Sequence, residues 1–338
     1  MKKIAVVLLN YNGLALLKTF LPSVVENSVE ADLFLIDNGS TDTSLEWVNT
    51  HYPEVECIAL PENLGYAGGY NEGLCHIKNP LFCLLNTDVR VPPNWLTPLS
   101  QHFDSNTTTA IAQPHILNYR APQFFEYAGA AGGYIDAFGI PFCRGRIFNQ
   151  CEEDKGQYDN EQDIFWASGA CFFIRRPIFW DLGGFDTRFF AHQEEIDLCW
   201  RAINAGYKIK AIGHSKVYHL GGGTLNPSPQ KVYLNHRNSL WMLLKNLPHH
   251  KRLKILLCRL FLDGIAGILY LIQFKFRSFF AIIKAHYSFY KYCISFNPTD
   301  SKSFKNEGYY YTNNLIWEYF VLRRLNFDSI SKIKNKIC

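Results

Sequence analysis

Apolar and polar positions fall into alternating blocks along the first two thirds of the chain. Lys3–Leu9 (KIAVVLL) is a continuous aliphatic run, the pattern of a strand buried on both faces, and it ends in the turn residues Asn10-Tyr11-Asn12-Gly13. A helical spacing of apolar residues follows from Leu14 to about Val25. Leu33–Ile36 predicts a second buried strand, running into Asp37-Asn38-Gly39-Ser40-Thr41-Asp42. A helix entered through Thr41 or Asp42 then continues through Leu45 and Val48. Val55–Leu60 predicts a third strand, the stretch Asn63–Gly73 a glycine-rich loop leading into a helix, and Leu81–Leu85 a fourth strand closing on Asn86-Thr87-Asp88. Strands alternating with helices predict an open, mostly parallel α/β sheet.

Residues 110–165 are less regular. Ile111–Pro114 reads as a strand. Gly129–Gly145 is rich in Gly, Ala and aromatics, and Cys151–Asp163 is polar and acidic, which predicts a surface excursion with mobile loops. Regular signals return with a glycine-bearing strand after Trp166, a helix opened by Pro177 and closed at Gly183-Gly184, and a helix through Leu198–Ala205 capped by Gly206. Tyr207–Ile212 predicts a strand, followed by Val217–Thr224.

Ligands of such sheets bind beyond the carboxyl ends of the strands, where Asn12, Asp37 and Asp88 fall. Asp37 is placed to accept hydrogen bonds from a ribose or base, and Asp88 to ligate a divalent cation on a diphosphate. The loop with Asn63, Gly65, Gly68 and Asn71 can bring backbone N–H groups to a phosphate at a helix start; its spacing does not fit the dinucleotide G-x-G-x-x-G. Phe185–Arg201 (FDTRFFAHQEEIDLCWR) packs Glu194, Glu195 and Asp197 between apolar residues. Acids there complement a helix dipole; one of them held away from water is also suited to act as a general base. Of the histidines, His219, leading into three glycines, is a better ligand candidate than His214 or His192.

Composition adds a compartment and an asymmetry. The ten cysteines form no CxxC pair, and several sit inside apolar runs, as reduced buried thiols do. Ile4–Leu9 is too short for the apolar core of a signal peptide, and no cleavage site follows, so the chain is expected in the cytoplasm. Residues 1–244 carry 18 Lys+Arg and 25 Asp+Glu, whereas residues 245–338 carry 16 and 5. Leu243–Tyr292 reads as a long helical region dense in Leu, Ile, Phe and Tyr. Ile255–Gln273 approaches membrane-spanning length but contains Arg259 and Asp263, which argues against a single span. Recurring Lys275, Arg277, Lys284 and Lys291 predict interfacial helices on an anionic inner membrane surface. Nucleic acid is not expected, since no recognition motif accompanies the charge. The tail, Ser329–Cys338, is expected to fray. The expected division is a catalytic domain over 1–240 and a basic amphipathic helical region over 241–338.

Seven segments in order carry a resemblance: VVLLNYNG (6–13), LIDNGSTDTS (35–44), NLGYAGGYNEGL (63–74), LLNTDV (84–89), SGACFFIRR (168–176), LGGFDTRFFAHQEEIDLCWRAINAGYKI (182–209) and HLGGGT (219–224). The chain resembles family 2 glycosyltransferases of GT-A fold, in the rhamnosyltransferase-like branch of bacterial surface polysaccharide synthesis. The resemblance implies that Asp37 binds the nucleotide, with Asn10 and Asn12 lining the same pocket. Asp88 matches the metal-binding end of a D-x-D-like motif, here Asn86-Thr87-Asp88, and His219 a family histidine near the diphosphate or its metal, Mg²⁺ or Mn²⁺. Glu195 matches the base of an E-D-x-D-L motif, here Glu194-Glu195-Ile196-Asp197-Leu198, with Glu194 the other choice. Asp197 is expected to support the helix start or the acceptor.

The implied reaction is an inverting transfer from a nucleoside diphosphate sugar (dTDP-rhamnose or a UDP-sugar) to a lipid-linked oligosaccharide. Asn86 in place of an acid and Glu195 in place of Asp leave a rival, a non-catalytic sugar-nucleotide-binding scaffold of a polysaccharide assembly complex. A nucleotidyltransferase on a similar sheet is a further rival, which has no use for the EEID stretch.

Overall fold

The computed structural model describes residues 1–221, 228–295 and 308–333. Gly222–Thr224 of the HLGGGT segment and the tail beyond residue 333 lie outside the described residues.

The aliphatic runs become the centre of one sheet. β1 (Ile4–Asn10), β2 (Ala31–Asp37), β3 (Glu56–Ala59) and β4 (Leu81–Asn86) pair in parallel in the order β4-β1-β2-β3. They are connected by α1 (Leu14–Asn27), α2 (Ser44–His51) and α3 (Gly65–Leu74). A short β5 (Val89–Arg90), α4 (Leu96–Ser105) and β6 (Thr109–Asn118) follow. Beyond a small sheet described below come β11 (Glu161–Asp163), β12 (Cys171–Arg175), α5 (Arg176–Asp181), α6 (Glu194–Asn204) and β13 (Lys208–His219). β12 enters antiparallel between β4 and β6, and β6 pairs in parallel with β13, giving the full order β11-β13-β6-β12-β4-β1-β2-β3. The expected open α/β sheet is therefore present, with one antiparallel strand at its middle. Tyr207–Ile212 and Val217–His219 prove to be one strand with an irregularity between Ile212 and Lys216.

Two expectations are corrected. The glycine-rich stretch is helix from Gly65 onward, not a loop. Its glycines permit close packing: a Cβ at Gly73 would collide with Ile36, and one at Gly69 with Asn38 and Leu9. Gly129–Gly145, read as part of a mobile surface excursion, lies instead in a second, four-stranded antiparallel sheet, β7 (Gly133–Ile135), β8 (Pro141–Cys143), β9 (Arg146–Ile147) and β10 (Gln150–Cys151), whereas Cys151–Asp163 is mostly at the surface. The small sheet is largely buried, and Tyr134, Phe142 and Phe125 belong to the main core. Small residues here mean close approach: Gly133 lies against the Trp166 ring and Gly145 against Phe125.

The C-terminal third is α7 (Pro229–Asn246), α8 (His249–Ile272), α9 (Phe276–Ser295) and a return segment. The expected boundary at 240/241 falls inside α7, whose Leu240, Met242 and Leu243 join the main core, as do Ile255, Phe289, Leu315 and Phe327. The tail is packed as far as it is described: Ile330 is buried, and the Ile333 N–H donates to the Tyr311 carbonyl (3.1 Å).

Candidate active site

Parallel register fixes the first half of the site. Asn10 lies beside Asp37, and Leu9 beside Asn86, so three strands end in one row. Asp37 is buried. It accepts from Asn10 Nδ2 (2.9 Å), Ser40 Oγ (2.6 Å) and the Ser40 N–H (3.1 Å). The buried Asn10 Oδ1 has no donor. Asn12, at φ 50°, accepts the N–H groups of Thr41 (2.7 Å) and Asp42 (3.2 Å), and so latches two strand-end loops together.

The turn before α3 is internally satisfied. Leu64 N–H donates to Asn38 (3.0 Å), Gly65 N–H to Asn63 Oδ1 (2.9 Å), and the Tyr66 and Ala67 N–H groups to the Phe190 carbonyl (2.7 and 3.4 Å). The phosphate cradle expected at Asn63, Gly65 and Gly68 thus has its donors engaged by protein. Asn71 exchanges two hydrogen bonds with the Phe185 backbone (2.8 and 2.9 Å), tying α3 to the acidic stretch.

Asp88 follows β4 in the turn to β5. β5 pairs antiparallel with β13, setting Val89 against His219. His219 Nε2 lies 3.1 Å from Asp88 Oδ1, and Nδ1 lies 3.2 Å from Glu126 Oε2; all three side chains are buried. Burial alone would lower the His219 pKa, but the two carboxylates outweigh it and push it up to about 10. Glu126 also accepts the Ala128 N–H (2.5 Å). Sequence reading missed it, because nothing local marks a glutamate 93 residues from its histidine partner. Both Asp88 oxygens are buried without a well-aligned hydrogen-bond donor, the condition of a carboxylate suited to a cation. Asp88 therefore fits a divalent metal, and His219 would join it through Nε2 on giving up the proton there, whereas Asn86, half-buried, offers only a neutral amide beside it.

The acidic stretch forms the other half. Phe190, His192 and Gln193 hold left-handed φ values of 63°, 71° and 73° directly before α6. Strain of this kind persists only where the surroundings impose it. Asn238 on α7, fully buried, donates to the carbonyls of Phe189 (2.9 Å), Ala191 (2.8 Å) and His192 (2.8 Å). Arg237 donates to Arg188 (3.1 Å) and Phe189 (3.0 Å). The polar run Asn235-His-Arg-Asn-Ser239, set between Leu234 and Leu240, was the available signal for this clamp.

α6 then begins with the two glutamates. Glu194 is buried, and burial followed by the Glu195 charge raises its pKa well above the carboxylate range. Glu195 is half-buried; burial pushes it up to about 7 against backbone N–H groups of the first turn. Each has a carboxylate oxygen without a partner. Tyr66, whose own pKa is raised by burial, by Tyr70 and by both glutamates, donates to the Gly169 carbonyl (2.9 Å). The next carbonyl, Ala170, accepts the Asn86 N–H (3.0 Å). One turn, Gly169–Ala170, thus links the glutamate end to the strand-end row.

Asp197 does not face this site. It is fully buried and accepts from Arg201 Nε (2.9 Å), Lys245 Nζ (2.9 Å) and Asn246 Nδ2 (2.8 Å). Expected to support the helix start or the acceptor, it sits in the first turn of α6 and locks that helix to α7.

Comparison with known proteins agrees with this architecture. The chain is 25% identical over 258 residues to N-acetylglucosaminyl-diphospho-decaprenol L-rhamnosyltransferase of Mycobacterium tuberculosis, covering 71% of this chain and 83% of that protein. It is also 25% identical over 245 residues to the low-salt glycan biosynthesis hexosyltransferase Agl10 of Haloferax volcanii, covering 70% and 73%. Among solved structures, GalNAc-T7 with UDP, GalNAc and Mn²⁺ aligns with a TM-score of 0.57 at 18% identity, over 72% of this chain and 48% of that one. The mannosyltransferase PcManGT of Pyrobaculum calidifontis, in complex with GDP-Man and Mn²⁺, aligns at 0.50 with 14% identity, over 88% and 77%. The sequence model of Glycosyl transferase family 2 matches residues 5–183, more than half of the chain, and the chain belongs to that family.

Proposed function

We propose that this glycosyltransferase moves one sugar, with inversion, from a nucleoside diphosphate donor to a hydroxyl of a lipid-linked glycan in cell-surface polysaccharide biosynthesis. The donor is dTDP-rhamnose or a UDP-sugar; the decaprenol-linked substrate in the mycobacterial relative's name supports a lipid-linked acceptor met at the cytoplasmic membrane face. The observation that carries the reading is Glu195. A half-buried carboxylate with its pKa near 7 can accept a proton at physiological pH, and a clamped turn holds it in place. Glu194, buried beside it, is less accessible to an acceptor.

Glu195 takes the proton of the acceptor hydroxyl as its oxygen bonds to the anomeric carbon. The bond from that carbon to the diphosphate oxygen breaks, and the nucleoside diphosphate leaves with the electron pair. Asp37, oriented by Asn10 and Ser40, holds the nucleotide by its base or ribose. Asp88 and His219 would hold Mg²⁺ or Mn²⁺, which supplies positive charge against the departing diphosphate.

The test incubates the full chain with Mg²⁺ or Mn²⁺, a membrane lipid extract and a panel of nucleoside diphosphate sugars, and measures nucleoside diphosphate release. Release from one donor, reduced roughly 10²-fold or more in Asp88→Ala, is expected. Nucleotide bound equally by both proteins with no release from any donor would replace this reading with the scaffold.

Glu126 gives a separate prediction. Its carboxylate lies beside Nδ1, 3.2 Å away, and Nε2 is the His219 atom turned to Asp88. Glu126→Ala is expected to weaken Mn²⁺ binding about 10- to 100-fold, read by calorimetry or electron paramagnetic resonance without substrate. Glu126→Gln should retain most of the affinity.

A further inference from the structure

The hairpin of α8 and α9 is built inside out. On α8 the charged residues Arg252, Arg259 and Asp263 are buried, while Leu253, Leu257, Leu260, Phe261, Ile265, Ile268, Leu269 and Ile272 are exposed. The spacing is helical, and Phe261 is 70% exposed. A helix on a water-soluble surface shows the opposite pattern, polar outward and apolar inward. The inward charges are paired with protein groups. Asp263 lies 3.1 Å from His236 Nδ1 of α7, 3.1 Å from His286 Nε2 of α9 and 3.6 Å from Arg259. Arg252 Nε donates to the Leu247 carbonyl (2.9 Å). The polar side is therefore committed to the protein, and the apolar side has no protein partner among the described residues.

The hairpin turn continues the same face. Phe274 is 80% exposed, and Phe276, Phe280, Ile283, Tyr287 and Tyr290 extend the surface along α9. Interspersed with them are the exposed cations Lys254, Lys275, Arg277, Lys284 and Lys291. Asp263, which is buried, is the sole acid of the two helices. Isolated apolar residues on a surface need no explanation, but a contiguous face rimmed only by cations does.

We propose that this face docks on, and partly inserts into, an anionic phospholipid bilayer, lying in the interface with its apolar side chains at the acyl boundary and its cations at the headgroups. The charge complementarity selects lipid over a second copy of the chain, which would set like charges against each other. α8 is long and apolar enough to cross a membrane by length and composition. A crossing would carry Arg259 and Asp263 into hydrocarbon and strip Asp263 from His236 of α7 and His286 of α9, so the interface is the resting place. The proposal deepens the reading of a lipid-linked acceptor but takes none of its support from it: α7 joins the hairpin directly to the Asn238 clamp, so a docked hairpin sets the glutamate end of the site near the membrane plane.

The test floats the full chain with vesicles of phosphatidylcholine alone or mixed with phosphatidylglycerol. Flotation with the mixed vesicles, weakened by salt, is expected. Lys275→Gln with Arg277→Gln should reduce partition by about 25-fold, roughly fivefold per cation. Phe261→Glu with Ile265→Glu should abolish it. Circular dichroism checks that each folds, and the cation pair, exposed at the hairpin turn and the start of α9, can be altered without touching the core. Donor turnover on a water-soluble acceptor should stay unchanged in both. Wild-type protein that floats with neither vesicle overturns the docking proposal, as does resistance to alkaline carbonate extraction, which would mean a span. A dimer in solution that Phe261→Glu dissociates, without flotation, would mean a second copy covers the face. Flotation without turnover on any donor would leave docking standing and remove the transferase reading alone.

Discussion

Replacing Glu195 with Gln is expected to lower sugar transfer by roughly 10²- to 10⁴-fold, the range contributed by a positioned general base. Donor binding should change little, since the substitution keeps shape and removes only the proton acceptor. The wild-type pH profile should carry the same signature. A base works deprotonated, so turnover should fall about tenfold per unit as pH drops below about 7, the value to which burial pushes Glu195. Glu195→Gln should flatten that limb. Stability moves the other way: a carboxyl whose folded pKa is raised binds its proton more tightly in the folded state. Its contribution is therefore present below the unfolded pKa and lost as pH rises through about 7. At pH 8 Glu195→Gln should thus be more stable than wild type, by about 1 to 3 kcal/mol in thermal unfolding. An inactive but stabilised variant separates a working acid from a structural one. If Glu194→Gln instead removed the activity and the pH limb while Glu195→Gln kept both, the roles of the two would be exchanged.

What could be read in the sequence, and what could not, follows from the distance over which each feature is determined. β1, β2 and β4 are local aliphatic runs, and a parallel sheet places their ends in one row whatever else the chain does. Asn12, Asp37 and Asp88 were therefore legible as strand-end residues, and His219 as a histidine before glycines. Glu126 was not, because its meeting with His219 depends on the pairing of β13 with β5 and β6 and on the Glu126–Ala128 turn. Gly65 and Gly68 misled in an instructive way. Glycine before a helix suggests a phosphate cradle, but the same freedom here lets Phe190 approach the start of α3 and take its N–H groups. Gly129–Gly145 misled similarly, since scarcity of bulk reads as looseness until the bulky partner, Trp166 or Phe125, is seen from elsewhere in the chain. The basic, aromatic character of α8 and α9 was visible from composition, but the inversion of α8 was not. Only packing shows that Asp263 turns toward α7 and α9, and Arg259 toward Asp263 and the Phe138 carbonyl, rather than toward water.

Asp197→Ala should cost about 3 to 5 kcal/mol of stability, the range for removing one partner from a buried ion pair. The carboxylate has no exposure and three donors, from Arg201, Lys245 and Asn246. Burial alone would raise its pKa, but Lys245 and Arg201 hold it below the usual carboxylate range. Removal leaves Lys245 with Asp186 (2.7 Å) and Arg201 with the Gly184 carbonyl (2.9 Å), both still partly buried and one acceptor short. A fall in melting temperature of roughly 6 to 15 °C should follow. The pH dependence has the ordinary carboxylate sign: a depressed folded pKa stabilises above the unfolded value near 4 and is lost as pH falls through the folded one. Wild type should therefore lose its advantage over Asp197→Ala in acid. Below the melting transition, turnover of the variant should stay within about tenfold of wild type, because the Asp197 carboxylate is engaged by Arg201, Lys245 and Asn246. A loss as deep as that of Glu195→Gln in a variant still folded would instead return Asp197 to the site. The expected split has a structural reason. α6 carries Glu195, the proposed base, and Asp197, its lock to α7, within the same first turn, and α7 also supplies Asn238 to the strained turn before Glu194. The lock thus keeps two sides of one turn in register, and its loss should be felt first as early melting of the clamp rather than as altered chemistry.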